Sequence, residues 1–383
     1  MHDTPISRRK MLAGTGLAVA GLTAAQLLGD ALPASAATWR VPAEDEPHLR
    51  TWMTWPSSTT IWGSLLAGVQ ADIATLAKEV ARHEPVFMVA NGTTAASKAR
   101  SMCGSTVTVL SSIPDSDCWI RDTGPIFRVD GTGNRDAFGL NFNAWGENAT
   151  SYYGIPASAY DNDRTIAGKV AAYAGVPFTK AGVTGEGGGI EYDGDGTLMA
   201  TESCWINSNR NPGKTKAQIE AELLARFGAT KMIWLPGLVG QDVTDDHIDG
   251  TARYIRPGVV MVQLDGAVSS PVWAANAQAI HDALVGATDA RGRTLQVITI
   301  QGPDTLPRIP RGKWSAFLSS YMNWTVTNDA IVTVQFGDTA RDAAAKTAIS
   351  AAFGRPVVQL NLDNLYGNGG GGAHCVTMQE PKP

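Results

Sequence analysis

"SLLAGVQADIATLAKEVARHEPVFMVA", residues 64–90, is a helix pattern that runs straight into a strand pattern. Leu65, Leu66, Val69, Ile73, Leu76 and Val80 recur every three or four positions, the spacing of one buried helix face. "PVFMVA" (85–90) is short, β-branched and apolar, as a buried strand is. The same succession returns four times. "DRTIAGKVAAYAG" (163–175) predicts a second helix. "KTKAQIEAELLARFG" (214–228) leads into "KMIWLPG", "PVWAANAQAIHDALVGA" (271–287) into "LQVITI", and "TARDAAAKTAISAAFG" (339–354) into "PVVQLNL". Further strands lie between them. "GGIEYDGDGTLMATES" reads as a hairpin with Asp193-Gly194 and Asp195-Gly196 at its turn, and "FLSSYMNWTVTNDAIVTVQFGD" (317–338) as two adjacent strands. Five helix-then-strand units with extra strands between them predict an α/β fold of repeated units, although the letters themselves do not repeat.

The first 36 residues read differently. Basic "SRRKML", a weakly apolar Gly/Ala/Leu run and Ala34-Ser35-Ala36 form the three parts of a secretory signal. Arg8 and Arg9 give it the look of a twin-arginine signal, so the expected location is extracytoplasmic. No membrane span is expected once it is cut. No Pro/Ser/Gly linker interrupts residues 37–383, which predicts one catalytic domain there.

The whole chain of 383 residues carries a net charge of −5 and 44% hydrophobic residues. Without a basic run or an RNP-like aromatic motif, nucleic acid is not an expected partner. Four cysteines, Cys103, Cys118, Cys204 and Cys375, are too few for a disulfide scaffold and contain no C-x-x-C pair. A Cys103–Cys118 bridge stays open at this stage.

Four polar islands interrupt the amphipathic pattern: "SDCWIRDTGP" (116–125), "EGGGIEYDGDGT" (186–197), "DVTDDHIDGTARY" (242–254) and "GNGGGGAHC" (367–375). His247 and Asp249 are two apart and share a side on extended chain. Cys375 follows glycines and His374 rather than a core pattern. A glycine loop can offer backbone N–H groups to a thiolate at close range. "GNGGGG" matches a dinucleotide fingerprint letter for letter but opens no βαβ unit, so that reading fails. Adjacent His374 and Cys375 without a second close pair is not zinc spacing, and no metal or organic cofactor is expected. His247 and His374 remain as candidate bases. Carboxylates at Asp122, Glu186 and Asp249 suit a planar guanidinium, which they grip in bidentate fashion. A thiol, an imidazole and carboxylates together suggest attack on a guanidinium carbon.

In order along the chain, "MTWPS" (53–57), "CWIRDTGP", "FNAWGE" (142–147), "EGGGIEYDGDGTLMATESC" (186–204), "NRNP" (209–212), "IWLPG" (233–237), "TDDHID" and "GGGAHC" resemble the agmatine deiminase family, close to the Porphyromonas-type peptidylarginine deiminases of the guanidine-modifying (pentein) superfamily. The resemblance covers nearly all of residues 37–383. It implies a five-bladed pseudo-symmetric α/β propeller of ββαβ units around a channel. It implies Cys375 as nucleophile, His247 as general acid/base and Glu186 as the residue orienting the imidazole. Asp122 and Asp249 would bind the guanidinium, with Trp119 as an apolar wall. Asp45, Asp246 and Gly372 depart from the family's usual aromatic, glycine and asparagine. Asp246 beside His247 is expected to raise the imidazole pKa by its charge.

The substrate is then a guanidine. Free arginine or C-terminal peptidylarginine would call for an Arg or Lys over its carboxylate. "NFNAWGENATSYYG" has neither and offers Trp145 and Glu147 for an alkyl stem and an ammonium. This predicts agmatine, hydrolysed to N-carbamoylputrescine and ammonia through a covalent amidino-cysteine. Arg253 or Arg311 could serve a carboxylate from another loop. Deimination of peptidylarginine or free arginine, amidino transfer to an amine, and a binding protein without chemistry are the competing readings.

Overall fold

The computed structural model describes residues 39–383; the expected signal over residues 1–36 lies outside them. Among the described residues no helix is long and apolar enough to cross a membrane.

One local unit recurs five times. Two strands pair antiparallel, a helix follows the second, and a third strand returns parallel to it. A parallel return needs such a crossover, and an antiparallel pair needs only a turn. The plain form appears in β4 (Ile126–Val129), β5 (Arg135–Gly139) and β6 (Phe178–Lys180), with the Asp163–Ala174 helix before β6. It returns in β7 (Ile190–Tyr192), β8 (Thr197–Thr201) and β9 (Lys231–Leu235), around the Lys216–Phe227 helix. Next come β10 (Ala252–Arg256), β11 (Val259–Leu264) and β12 (Gln296–Gln301), around Pro271–Leu284. Then follow β13 (Thr325–Val326), β14 (Ile331–Val334) and β15 (Val357–Leu360), around Thr339–Phe353.

The remaining sheet is assembled from both ends of the fold. β1 (His48–Thr54) runs parallel to β2 (Val86–Val89) across the Leu66–Val80 helix. Its antiparallel partner is β16 (Met378–Pro381). A further helix, Gly92–Cys103, adds β3 (Val107–Leu110) beyond β2. Glu380 on β16 is fully buried, accepts from Trp52 Nε1 at 2.8 Å and pairs with Arg50 and Arg135. Two hydrogen bonds to a charged acceptor, from Trp52 and Arg135, and the Arg50 ion pair thus fix the register of a four-residue strand.

The first helix buries most of the face its spacing predicts, but Leu65 lies in the turn before it and is exposed, and Leu66 is half-buried. Val69, Ile73, Leu76 and Val80 of the first enter one large cluster with Met53, Trp55 and Met88 of the adjoining sheet. Burying four such side chains contributes about 1.5–3 kcal/mol each. The 317–338 stretch is less regular than its pattern suggests. Only Thr325–Val326 and Ile331–Val334 are strand, and Phe317–Trp324 approaches them as irregular chain.

Candidate active site

Five loops hold equivalent places in the five sheets. Asp122 precedes β4, Glu186 precedes β7, His247 and Asp249 precede β10, Asn323 precedes β13 and Cys375 precedes β16. Each residue therefore sits just before the strand that opens its antiparallel pair. The polar islands converge because the sheets repeat.

They meet at a cavity of about 260 Å³. Asp122, His247, Asp249, Asn323 and Cys375 line its floor, and Trp62, Trp119, Trp145, Tyr153 and Tyr160 its walls. Among the described residues no lysine or arginine lines it; Asp117 and Asp242 are further acids there. The glycine run explains itself here. A side chain at Gly369 or Gly371 would start 2.7 or 2.3 Å from the Trp119 ring. Only bare backbone lets the loop press the Cys375 segment against that wall.

Glu186 is fully buried and accepts from His247 Nε2 at 3.1 Å. Arg210 Nε donates to both Glu186 oxygens, at 3.0 and 2.9 Å, and its Nη1 reaches Asp245 at 2.8 Å. Burial would raise the Glu186 pKa, but Arg210 and then His247 hold it below the usual carboxylate range. Nε2 being committed, His247 turns Nδ1 toward Asp122, 3.8 Å from its Oδ1. Burial disfavours the imidazolium. Asp122, Cys204 and Glu186 outweigh it and hold His247 well above the ordinary imidazole range.

Asp122 accepts from Trp145 Nε1 at 2.9 Å and from the Gly188 amide at 3.0 Å. Its pKa is raised, by burial first and then by Glu186 and Asp249, against His247. Asp249 is pushed up by burial too, yet a hydrogen bond from His374 leaves it below the usual range. A methyl built on Gly188 would lie 2.7 Å from His247 Nδ1, 2.9 Å from Asp122 Oδ1 and 3.0 Å from Asp249 Oδ2. Those three groups therefore face one common point.

Cys375 Sγ lies 3.6 Å from Asp249 Oδ2, and Asn323 Nδ2 donates to it at 3.2 Å. Burial pushes the thiol well above its ordinary range, Asp249 and Asp122 add to this, and Gly372 and Asn323 oppose it. Burial and the two carboxylates thus favour the neutral Cys375 thiol, and the acidic neighbours of His247 favour the imidazolium. A cation seated between the two carboxylates would cancel the field that disfavours the thiolate.

Some expectations change. Asp246 is not among the largest influences that raise His247, which come from Asp122, Cys204 and Glu186. It accepts from Leu238 N and Asn276 Nδ2, and burial, with Asp242, lifts it to about 8. Its φ of 71° explains why glycine suits the position. Glu147 is exposed and does not line the cavity. Arg253 is buried against Glu44 and Glu191, and Arg311 lies exposed over Trp314. All four cysteines are free thiols.

Arg210, Asn323 and Cys204 were not singled out from the sequence. Arg210 lies in the quoted "NRNP", whose family likeness was its only signal. Asn323 sits in a run that reads as strand. Cys204, 3.7 Å from Glu186 Oε2, looks like any buried cysteine. Glu186, Cys204 and His247 are close enough for a metal, but Arg210 already occupies the Glu186 carboxylate.

Relatives fit this geometry. Residues 40–381 match the Porphyromonas-type peptidyl-arginine deiminase family. The agmatine deiminase of Pseudomonas aeruginosa is 34% identical over 366 residues, covering 90% of this chain and 96% of its own. That of Pseudomonas fluorescens is 33% identical, with 90% and 96% covered. A solved agmatine deiminase of Enterococcus faecalis superposes with a TM-score of 0.81 at 28% identity, over 90% of this chain and 96% of that one. By sequence and by fold, the chain belongs to the Porphyromonas-type peptidyl-arginine deiminase family.

Proposed function

We propose that the protein is an agmatine deiminase, hydrolysing agmatine to N-carbamoylputrescine and ammonia. The observation that carries this reading is the cavity: thiol, imidazole and two carboxylates at its floor, aromatic and acidic walls, and, among the described residues, no lysine or arginine in its lining. The relatives named above support it.

The guanidinium sits between Asp122 and Asp249, and the alkyl stem runs along Trp119 and Trp145. Cation binding relieves the field on Cys375, the thiol releases its proton to solvent, and Sγ adds to the guanidinium carbon as the C=N electron pair moves onto nitrogen. His247, fixed by Glu186, gives a proton to the departing nitrogen, and the C–N bond breaks to release ammonia. Water then adds to the amidino carbon and His247 takes one of its protons; the C–S bond breaks as the other passes to the departing sulfur, returning the Cys375 thiol and the ureido product. Asp117 and Asp242 favour the distal ammonium and disfavour a carboxylate.

The five sheets are best accounted for as blades of a propeller around a shared channel. Five equivalent loops feeding one site support this, and an experimental structure with the sheets radial about one axis is its test. An exported location belongs to the same reading, carried by the basic, apolar and small-residue pattern of residues 7–36. A secreted form beginning at Ala37 on N-terminal sequencing is the expected result.

The decisive assay offers agmatine, free arginine and a short arginine peptide to purified protein, with Cys375→Ala as control. Agmatine is expected to give the highest kcat/KM, and the control no ureido product. Product mainly from the peptide would move the same chemistry to protein arginine. Ammonia from none of the three would overturn the reading.

A further inference from the structure

His374 stands beside the nucleophile in sequence but takes no part in the steps above. Its ring lies between two carboxylates: Nδ1 is 2.8 Å from Asp249 Oδ2, and Nε2 is 2.8 Å from Glu44 Oε1. Both ring nitrogens of His374 therefore face carboxylate oxygens at hydrogen-bond distance. His374 is buried, and the Glu44 side chain is nearly so.

Glu44 is anchored in turn. Arg121 Nη1 donates to it at 2.9 Å and Arg253 Nη2 at 2.5 Å. Arg253 Nε also holds Glu191 at 2.8 Å. The backbone closes the same region, for Arg121 N donates to Cys375 O at 3.1 Å. Glu44 comes from the segment before β1, Asp249 from the loop before β10 and His374 from the loop before β16. The pair thus joins three separate elements at one oxygen of Asp249, the oxygen that also faces Cys375 Sγ.

We propose that His374 and Glu44 form a positioning pair that keeps Asp249 ionised and aimed at the guanidinium. The inference rests on the guanidine reading above. Glu44 holds the ring from its Nε2 side, and the ring in turn holds Asp249 through Nδ1. The other charged or titratable groups around Asp249 include Cys375, His247, Arg253, Asp122 and Tyr366. His374 is the one among them with a hydrogen bond of ordinary length to its carboxylate. Removing it takes away the largest influence that lowers the Asp249 pKa, so Asp249 would protonate at higher pH and lose its grip on a cation.

The test measures agmatine affinity by calorimetry between pH 4.5 and 8, in the Cys375→Ala background so that no turnover interferes. His374→Gln and Glu44→Gln are each added to it. Thermal melts are run on both. His374→Gln is expected to weaken binding at pH 7 by about tenfold, on the scale of one charge-assisted hydrogen bond. The pH at which binding falls off should move upward, and less so in Glu44→Gln. In the otherwise wild-type enzyme, KM should rise more than kcat falls. A folded variant of either kind with unchanged affinity and an unmoved acidic limb overturns the proposal. Loss of folding in both would assign the pair to the fold and overturn it too. Failure of the unmutated protein to turn over agmatine at all is a different outcome, which strikes the functional reading itself.

Discussion

Arg210 divides one guanidinium between Glu186 and Asp245, and both acids lie out of water. Arg210→Met would keep the volume and strand two buried charges. A loss of about 3–5 kcal/mol in denaturant unfolding is expected, the usual cost of breaking a buried pair from one side. Activity should fall with it, because Glu186 would no longer be held ionised to orient His247. Stability within 1 kcal/mol of the unmutated protein (a bound set roughly by surface substitutions) would show that the site does not depend on this bridge. At this scale the acids, imidazole and thiol were legible, because such groups beside glycines do not serve an ordinary core. The supports were not. Arg210 and Asn323 act through contacts between residues 24 and 52 positions apart, and no local pattern records such contacts.

The helices show what periodicity can and cannot reveal. The Leu66–Val80 face is made of Val, Ile and Leu, and its pattern was plain. The Gly92–Cys103 helix buries Ala95, Ala96, Ala99 and Cys103, a face too small to stand out. Phe317–Trp324 looked like strand because most of its side chains are buried, yet its job is to carry Asn323 to the thiol. The closing strand β16 is shorter still, and Glu380 supplies what its length does not. Glu380→Ala should cost about 2 kcal/mol or more by thermal or chemical unfolding, since two donors lose a charged acceptor and Arg50 its ion pair. It should lower kcat as well, because β16 begins three residues after Cys375. Unaltered melting would mean that strand register is fixed elsewhere.

Across the whole molecule, buried carboxyl groups set an unusual dependence on pH. Burial lifts Asp117 to about 6 and Asp246 to about 8, and carries Asp115 and Asp163 well above their ordinary values. Such groups bind protons in the folded state that the unfolded chain has released, so they stabilise less as pH rises above about 4. His247, raised by its acidic neighbours against burial, acts in the same direction. Its contribution is full below about 6.5 and is lost as pH climbs through its folded value. Glu44, Glu186, Asp245 and Asp249 are depressed and lose their contribution as pH falls below about 4. Melting temperature should therefore peak near pH 5 and decline toward pH 8, on the order set by these unfolded values. Scanning calorimetry that finds the protein more stable at pH 8 than at pH 5 would contradict this balance. None of it could be foreseen from a net charge of −5, which counts every acid as ionised.

Gly188 gives the site a ruler. The point one carbon away from its backbone is within 3.0 Å of His247, Asp122 and Asp249 together. A single methyl would stand too close to His247 Nδ1 and Asp122 Oδ1 for either to keep its place, at the point where the proposed substrate would put a nitrogen. The backbone at Gly188 is not left-handed, so alanine is permitted there by conformation. Gly188→Ala would in effect tether an inhibitor of one carbon atom inside the enzyme. It would leave the thiol present, the walls intact and the guanidinium with nowhere to sit.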